Sequence, residues 1–287
     1  MELELLDNVL CKLKQNSSVL TGPGDDCAVV KIGGENLLLA VDQLTMDVHF
    51  TQDTSPERAG AKLVKRNLSD IAAMGGTPLW MLLTINNGGC SEKWLERFIL
   101  GAENCAESYD VPIVGGDTSS MPGTGFSASI TIAGRAETPV LRSGAQENDG
   151  VYVTGLVGNS FASGHHLDFL PQLDEGRFLS KYASAMMDIS DGLLLDISRM
   201  ARASRADFFI DPQKVLLRSG ASLPGALGDG EDHGLIFTSS RDVREEFTQR
   251  FPATPIAKIG WVGSGSGVVW NLNNDQPFDM KNSGYEH

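Results

Sequence analysis

The sequence is poor in cysteine and has no long apolar run. Its 287 residues include 4 cysteines, which lie far apart and form no Cys-x-x-Cys pair, so neither a structural zinc site nor a disulfide framework is expected. No apolar stretch approaches the roughly 18 residues that a membrane span needs. The first residues, MELELLDNVLCKLKQ, are acidic and amphipathic, unlike the basic and then apolar pattern of a secretory signal. We therefore expect a cytoplasmic protein with no membrane partner.

Positive charge is also scarce. The chain has 23 lysines and arginines against 37 aspartates and glutamates, a formal net charge of −14, and it contains no basic run. Such a surface repels a phosphate backbone unless a basic face is segregated, so nucleic acid is not an expected partner. The sequence also lacks the P-loop, the protein-kinase signature, the His-Glu-x-x-His zinc motif and the Gly-x-Ser-x-Gly elbow of serine hydrolases.

What remains is the composition of an ordinary globular protein that is long enough for two domains. Hydrophobic residues make up 41% of the chain and charged residues 21%, which is typical of a protein with a buried core. Predicted strands and helices are mixed throughout, and polar, turn-forming residues cluster at 142–150. We predict a mixed α+β fold with two domains, residues 1–142 and residues 143–287.

Two helices have clear local signals in the N-terminal half. Leucines at helical spacing predict a helix over residues 2–15. Ser55 as a cap, Pro56 at the first helical position and a later Gly-Gly pair predict a second helix. In the C-terminal half, His165 and His166 fall in a stretch with little pattern and are interpreted as surface residues.

Aspartates recur at turns and at the predicted ends of strands. Each alone is most simply a turn residue or a helix cap, as Asp191 would be for the helix that follows it. Asp70 differs, because it lies on an otherwise apolar face of a predicted helix and needs a partner there. Converging carboxylates repel one another unless cations lie between them, and Mg²⁺ prefers oxygen ligands, so the set predicts a site for several divalent ions. Its members are Asp25, Asp26, Asp42, Asp70, Asp117, Asp188 and Asp191.

Eight segments, spread in order along almost the whole chain, match one family. They are GPGDDCAVV, AVDQLTMDVHF, NLSDIAAMGGTPLW, YDVPIVGGDTSS, LRSGA, MMDISDGLLLDI, GDGEDHGLIFT and SGYEH. The chain thereby resembles thiamine-monophosphate kinase, a member of the superfamily of aminoimidazole ribonucleotide synthetase. The resemblance implies an N-terminal PurM-like sheet domain that forms a barrel in a homodimer, and a C-terminal α/β domain that completes the cleft. It further implies ATP as co-substrate, several Mg²⁺ ions, and phosphorylation of thiamine monophosphate to thiamine diphosphate.

The resemblance also implies a role for each matched residue. All seven aspartates would be magnesium ligands, and Asp42, Asp117 and Asp191 would be catalytic. Ser190 and the start of the helix after it would meet phosphate oxygens. Glu231 could attract the cationic ring of thiamine. The residues implied to contact ATP are Gly116, Asp117, Arg142 and Ser190, and those implied to line the thiamine-phosphate pocket are His49, Glu231 and Tyr285.

Two departures from the family pattern affect these expectations. Ala40 and Val41 stand where the family usually has Ser-Thr, which removes two hydroxyls beside Asp42. The segment 158–182 is short and lacks a basic run, which leaves Arg177 and Lys181 there as candidates for the acceptor phosphate. Two alternatives therefore stay open: an ATP-dependent kinase or ligase-like relative that acts on another small acceptor, and a non-catalytic relative that binds nucleotide.

Overall fold

The structure, a computed structural model, describes residues 9–10 and 12–284. Of the helix predicted over residues 2–15, residues 2–8 and 11 lie outside the described part, residues 9–10 are helical, and residues 12–15 are not helical, so the helix ends earlier than predicted. Tyr285 also lies outside the described residues. Within them the chain forms two β-sheets with helices packed against them, which confirms the mixed α and β class. No helix in the described part of the chain is long and apolar enough to cross a membrane.

The first sheet has six strands. They are β1 (Val19–Thr21), β2 (Ala28–Ile32), β3 (Glu35–Thr45), β4 (Thr77–Asn87), β5 (Ile113–Ser120) and β6 (Phe126–Arg135). Their order is β1-β2-β3-β6-β4-β5. Strands β4 and β5 run parallel, whereas the other neighbours are antiparallel.

Two long helices, α1 (Pro56–Ala73) and α2 (Glu92–Ser108), cover one face of this sheet. Leu63 of α1 and Phe98 of α2 are fully buried in the same core as Ile130 of β6. The hydroxyl of Ser55 accepts a hydrogen bond from the backbone N–H of Arg58, as expected of a cap. The second predicted helix is therefore confirmed, including its first residue.

Strands β3 and β5 are longer than predicted, and this changes the position of two aspartates. Asp42 and Asp117 lie inside these strands rather than at their ends. Residues paired across a sheet share a face, and neighbours along a strand alternate. Asp42 pairs with Ile130, whereas Asp117 pairs with Thr84, which in turn pairs with Ser129. The two aspartates therefore lie on opposite faces of the sheet.

The second sheet has seven strands. They are β7 (Gly150–Thr154), β8 (Ala185–Asp188), β9 (Ala206–Ile210), β10 (Leu235–Ser239), β11 (Ile256–Ser264), β12 (Val269–Asn271) and β13 (Gln276–Pro277). Their order is β13-β12-β9-β11-β7-β10-β8. Strands β9 and β12 are parallel, and the other pairs are antiparallel.

Six α-helices accompany the second sheet. They are α3 (Ser160–Ser163), α4 (His165–Asp168), α5 (Leu173–Leu179), α6 (Leu193–Ser204), α7 (Leu223–Gly228) and α8 (Arg244–Arg250), with short 3₁₀ turns at Pro212–Lys214 and Met280–Asn282. The first three helices fill the segment 158–182, where the sequence showed little pattern. Helix α5 lies directly on α1: a Cβ at Gly176 would be 2.1 Å from the carbonyl oxygen of Ala72. Helix α1 therefore contacts both halves of the chain, and the division into domains at residue 142 stays a prediction.

The start of α6 corrects the predicted cap. Gly192, not Asp191, is the capping residue, and it makes no side-chain cap. Instead, Oδ2 of Asp196 accepts hydrogen bonds from the backbone N–H groups of Ser190, Asp191 and Gly192, at 3.1 to 3.2 Å. A carboxylate from inside the helix thus occupies the N–H groups that were expected to meet phosphate.

Candidate active site

Three of the predicted metal ligands meet between the two sheets. Asp26 lies in the turn before β2, Asp70 in α1 and Asp188 at the end of β8, and one carboxylate oxygen from each lies within 4.8 Å of the others. Oδ2 of Asp26 is buried and has no hydrogen-bond partner among the described residues. A buried, unpartnered carboxylate oxygen beside two more carboxylates is a suitable environment for a divalent cation.

The pKa values of these carboxyl groups show that a nearby positive charge would help them to ionise. Burial, together with the charges of Asp188 and Asp25, raises the pKa of Asp26 to about 7, although Arg142 opposes the rise. Burial and the neighbouring carboxylates also raise the pKa of Asp70 well above its usual value. For Asp188, hydrogen bonds outweigh burial and lower the pKa. A cation between the three would favour their ionised forms.

Asp188 is held by two hydrogen-bonding side chains. Its Oδ2 accepts from the hydroxyl of Ser69 at 2.6 Å and lies 3.2 Å from Nδ1 of His233. The ring of His233 stacks on that of Phe169, with centroids 4.0 Å apart. Two side chains thus fix Oδ2 of Asp188, and Phe169 supports one of them, so the carboxylate is oriented before any ligand binds.

Arg142 lies on the other side of the cluster. Its Nη2 donates to Oδ1 of Asp26 at 2.6 Å, and its backbone N–H donates to the carboxylate of Asp25 at 3.2 Å. The structure therefore brings Asp25, Asp26 and Arg142 together, with the arginine paired to the aspartates. Its Nε is buried without a hydrogen-bond partner among the described residues.

Asp42 lies beside the cluster but has a different partner. Oδ2 of Asp42 accepts from Nε of Arg66 at 3.0 Å, and Nη1 of the same arginine is 3.5 Å from Oε1 of Glu231. Nζ of Lys62 lies 2.6 Å from Oε2 of Glu231. Both cations and hydrogen bonding from His233 lower the pKa of Glu231, despite its burial. The negative charge of Glu231 is thus already balanced by Lys62 and Arg66. This differs from the expectation that Glu231 attracts a cationic ring.

Lys62 also corrects the interpretation of His166. The ammonium is fully buried, and its Nζ lies 2.5 Å from the carbonyl oxygen of His49 and 3.0 Å from Nδ1 of His166. The histidine is 4% exposed and stacks on Phe161, so it is not a surface residue. Its partner His165 is half-buried, with Nε2 3.1 Å from the carbonyl oxygen of Asp232.

The basic residues that sequence reasoning missed have a recognisable spacing. Lys62, Arg66 and Asp70 follow one another at intervals of four in α1, which places them on one face of the helix. Read with the helix prediction, that spacing indicates a charged face directed at the acidic cluster. Asp196 and His233 had no comparable signal, because their partners are set by the fold.

A loop with strained backbone carries Glu231 to this site. Glu231 and His233 have positive φ angles of 58° and 50°. Residues other than glycine rarely adopt this backbone conformation. Between them, Asp232 is buried and accepts hydrogen bonds from the N–H of Gly158 and from Arg218 at 2.6 Å. The buried ion pair holds the loop in a conformation that would otherwise be unfavourable.

A cavity of about 150 Å³ opens beside these charged groups. His49 and Glu231, which were predicted to line the thiamine-phosphate pocket, line this cavity. So do Ser190 and Asp191, which were predicted to bind ATP and metal. Asp191, one of these, is paired with Arg199 at 2.6 Å. The lining residues are Val48, His49, Arg66, Phe161, Ser190, Asp191, Asp229 and Glu231.

Four predicted site residues, Gly116, Asp117, Arg177 and Lys181, are not part of this group in the structure. Asp117 and Gly116 lie on the edge strand β5, and Asp117 lies on the sheet face opposite Asp42. Gly116 leaves no room for a side chain, because a Cβ there would be 1.7 Å from the carbonyl oxygen of Leu83. Arg177 pairs with Asp174 and, with Lys181, lines a separate cavity of about 520 Å³. Arg177 and Lys181 therefore do not line the cavity beside Glu231, and the expectation that they serve the acceptor phosphate there is wrong. Tyr285 lies outside the described residues.

Comparison with known proteins places this arrangement among related sequences and structures. Residues 24–136 match the family model "AIR synthase related protein, N-terminal domain". The thiamine-monophosphate kinase of Salmonella typhimurium is 34% identical over 94% of this chain and 92% of its own, and that of Aquifex aeolicus is 32% identical over 98% and 97%. The solved structure of AaThiL complexed with AMPPCP and TMP superposes with a TM-score of 0.86, at 29% identity, over 99% of this chain and 97% of the other.

Proposed function

The chain belongs to the thiamine-monophosphate kinase family, and from that premise we propose that it transfers the terminal phosphate of ATP to thiamine monophosphate in a Mg²⁺-dependent reaction. One observation carries the proposal: three carboxylates on different elements converge within 4.8 Å beside a cavity, and one buried oxygen has no hydrogen-bond partner among the described residues. The product is thiamine diphosphate. We further propose that the reaction takes place in the cytoplasm.

We assign the metal to Asp26, Asp70 and Asp188, with Asp25 and Asp191 as further proposed ligands. Asp117 lies on the opposite face of the first sheet and is not assigned to this site. Bound Mg²⁺ would neutralise the charge of the phosphate groups. The chain's own residues hold the ligands in place: Ser69 and His233 orient Asp188, and Arg142 orients Asp26. We leave Asp42 out of this set because it is not one of the three carboxylates that converge within 4.8 Å, and its Oδ2 accepts from Arg66.

The acceptor would occupy the cavity beside His49, Phe161 and Glu231. Its phosphate is an anion and needs no strong general base, so positioning and charge neutralisation supply most of the catalysis. Arg66 of α1 lines this cavity, whereas Arg177 and Lys181 line another. Positive charge for the acceptor side therefore comes from helix α1. We propose Ser190 as a contact for ATP at the same cavity.

We also propose that the protein is a homodimer formed through the first sheet. The face opposite α1 and α2 carries Val41, which is 64% exposed, and Leu82, which is 39% exposed. Leu82 lies on β4, next to the edge strand β5 that carries Asp117, and Val41 lies on β3, beyond β6. A second copy would cover both the apolar face and the open strand edge.

The proposed site is tested by removing single carboxylate charges. We expect Asp70→Asn and Asp188→Asn each to lower kcat/KM for thiamine diphosphate formation by at least about 100-fold, because each removes charge from the metal site. The matched control is Asp168→Asn, an exposed aspartate paired only with Arg58 among the described residues. Product is measured by chromatography, and folding by circular dichroism. Near wild-type rates in both cluster variants would contradict the assignment.

A further inference from the structure

Arg66 is a buried cation placed between two carboxylates of the cleft. Its side chain is 10% exposed, its Nε donates to Asp42 at 3.0 Å, and its Nη1 lies 3.5 Å from Glu231. Arginine does not lose its proton in proteins, so this positive charge is permanent. The neighbouring helix residue Asn67 fixes the same strand position, because its Oδ1 accepts from the backbone N–H of Asp42 at 3.1 Å.

Asp42 lies close enough to the acidic cluster to act on it. Its partner Arg66 lies one helical turn before Asp70 on α1. Asp42 is therefore a carboxylate that needs neutralising at the border of the cluster. In the structure that neutralisation comes from an arginine of α1.

The nearest strand residues on the same face as Asp42, Ala40 and Leu44, offer no oxygen ligand from a side chain. Ala40, two residues earlier on the same face, is apolar and 8% exposed, and Val41 points to the opposite face. A divalent ion at Asp42 would have to share the carboxylate with the guanidinium, and like charges at that separation repel. Asp26 also accepts from an arginine, but its second oxygen is buried without a hydrogen-bond partner among the described residues, beside Asp70 and Asp188.

From these contacts we propose that Arg66 is the permanent counter-cation of Asp42 and replaces a metal ion there. Asp42 is then not a metal ligand in this chain, and the divalent ions are held by the carboxylates around Asp26, Asp70 and Asp188. The inference rests on the proposed Mg²⁺-dependent function. It assigns Arg66 as a positioning residue that supplies fixed charge to the cleft without dissociating.

The number of bound ions tests this assignment without measuring turnover. Mn²⁺ is titrated into the purified protein in the presence of a non-hydrolysable ATP analogue, and free Mn²⁺ is followed by electron paramagnetic resonance. Asp42→Asn should bind as many ions per chain as the wild type. Arg66→Met should bind one more, and the double variant R66M/D42N should return to the wild-type number.

The matched control is Arg58→Met, which removes an exposed, ion-paired arginine from the same helix and should leave the number unchanged. If Asp42→Asn lowers the number by one, the inference is overturned, and this comparison does not depend on the folding of R66M. It is equally overturned if folded R66M binds no additional ion. Failure of the proposed metal site has a different signature, namely unchanged Mn²⁺ binding in Asp70→Asn and Asp188→Asn.

Discussion

At the scale of single residues, the contact between Lys62 and His166 determines the state of a histidine. An ammonium group only donates hydrogen bonds, so Nδ1 of His166 must accept, and the ring carries its proton on Nε2. Burial and the charge of Lys62 lower the pKa of His166 to about 4. Burial also lowers the pKa of Lys62 to about 8. The ring is therefore neutral at physiological pH.

This pKa predicts a loss of stability in acid. The pKa of His166 is lower in the folded chain than its ordinary value of 6.5. As the pH falls below that value, the unfolded chain binds the proton first, and stability is lost until the pH reaches the folded pKa. Between pH 7 and pH 5, the wild type should lose about 2 kcal/mol more free energy of unfolding than His166→Gln.

Urea unfolding of the two proteins at both pH values measures the difference. Glutamine retains an acceptor for Lys62 but does not titrate, and the other histidines are the same in both proteins. An equal loss in wild type and variant would show that His166 is not held neutral.

At the scale of residues, the sequence correctly predicted that three of the aspartates lie close together. The oxygens of Asp26, Asp70 and Asp188 do lie together, because aspartates between apolar segments need partners. The partners themselves could not be predicted, since Arg66 and Asp42 are distant in the sequence and meet only through the packing of α1 on β3. The same holds for Asp196, whose N–H partners are set by the turn before α6.

At the scale of elements, the seating of α1 on α2 determines where the cleft residues lie. A Cβ at Gly60 of α1 would be 2.2 Å from the carbonyl oxygen of Phe98, and one at Gly101 of α2 would be 2.4 Å from Cα of Glu57. Both glycines allow the helix backbones to touch. Because α1 also carries Lys62 and Asp70, a shift of this helix would move the site.

We expect Gly60→Ala to destabilise the protein by about 2 kcal/mol. Alanine favours an isolated helix over glycine by roughly 0.5 to 1 kcal/mol, but here overpacking against Phe98 should outweigh that gain. Chemical denaturation gives the free energy of unfolding. Glu96→Ala, on the exposed side of α2, should change it by less than about 0.5 kcal/mol. Stabilisation by Gly60→Ala would contradict the close helix contact.

Element boundaries were predictable where their signals are local. Ser55 and Pro56 mark the start of α1 correctly, since capping depends on adjacent residues. The predicted ends of β3 and β5 were wrong. Pairing of β3 with β6, and of β5 with β4, continues each strand past its aspartate. Those hydrogen bonds join residues far apart in the sequence, which local turn signals do not report.

At the scale of the whole molecule, an apolar sheet face remains open in the single chain. Among the described residues, this face exposes Val41 on β3 and Leu82 on β4, and β4 is the neighbour of the exposed edge strand β5. Sedimentation should show a wild-type dimer at micromolar concentration, and Val41→Asp should shift it towards monomer because a charge would be buried. Leu170→Asp is the matched control, because Leu170 is 74% exposed and lies outside this sheet. A wild-type monomer, or a Val41→Asp dimer as stable as the wild type, would contradict the proposed interface.

Formation of thiamine diphosphate by the purified protein tests the proposed function most directly. The protein is incubated with ATP, Mg²⁺ and millimolar thiamine monophosphate, and the products are identified by ³¹P nuclear magnetic resonance, with thiamine and inorganic phosphate as alternative acceptors. We predict a new diphosphate resonance that matches loss of the terminal phosphate of ATP. It should disappear with a chelator or in Asp70→Asn. Binding of ATP without formation of thiamine diphosphate would contradict the account and favour another acceptor.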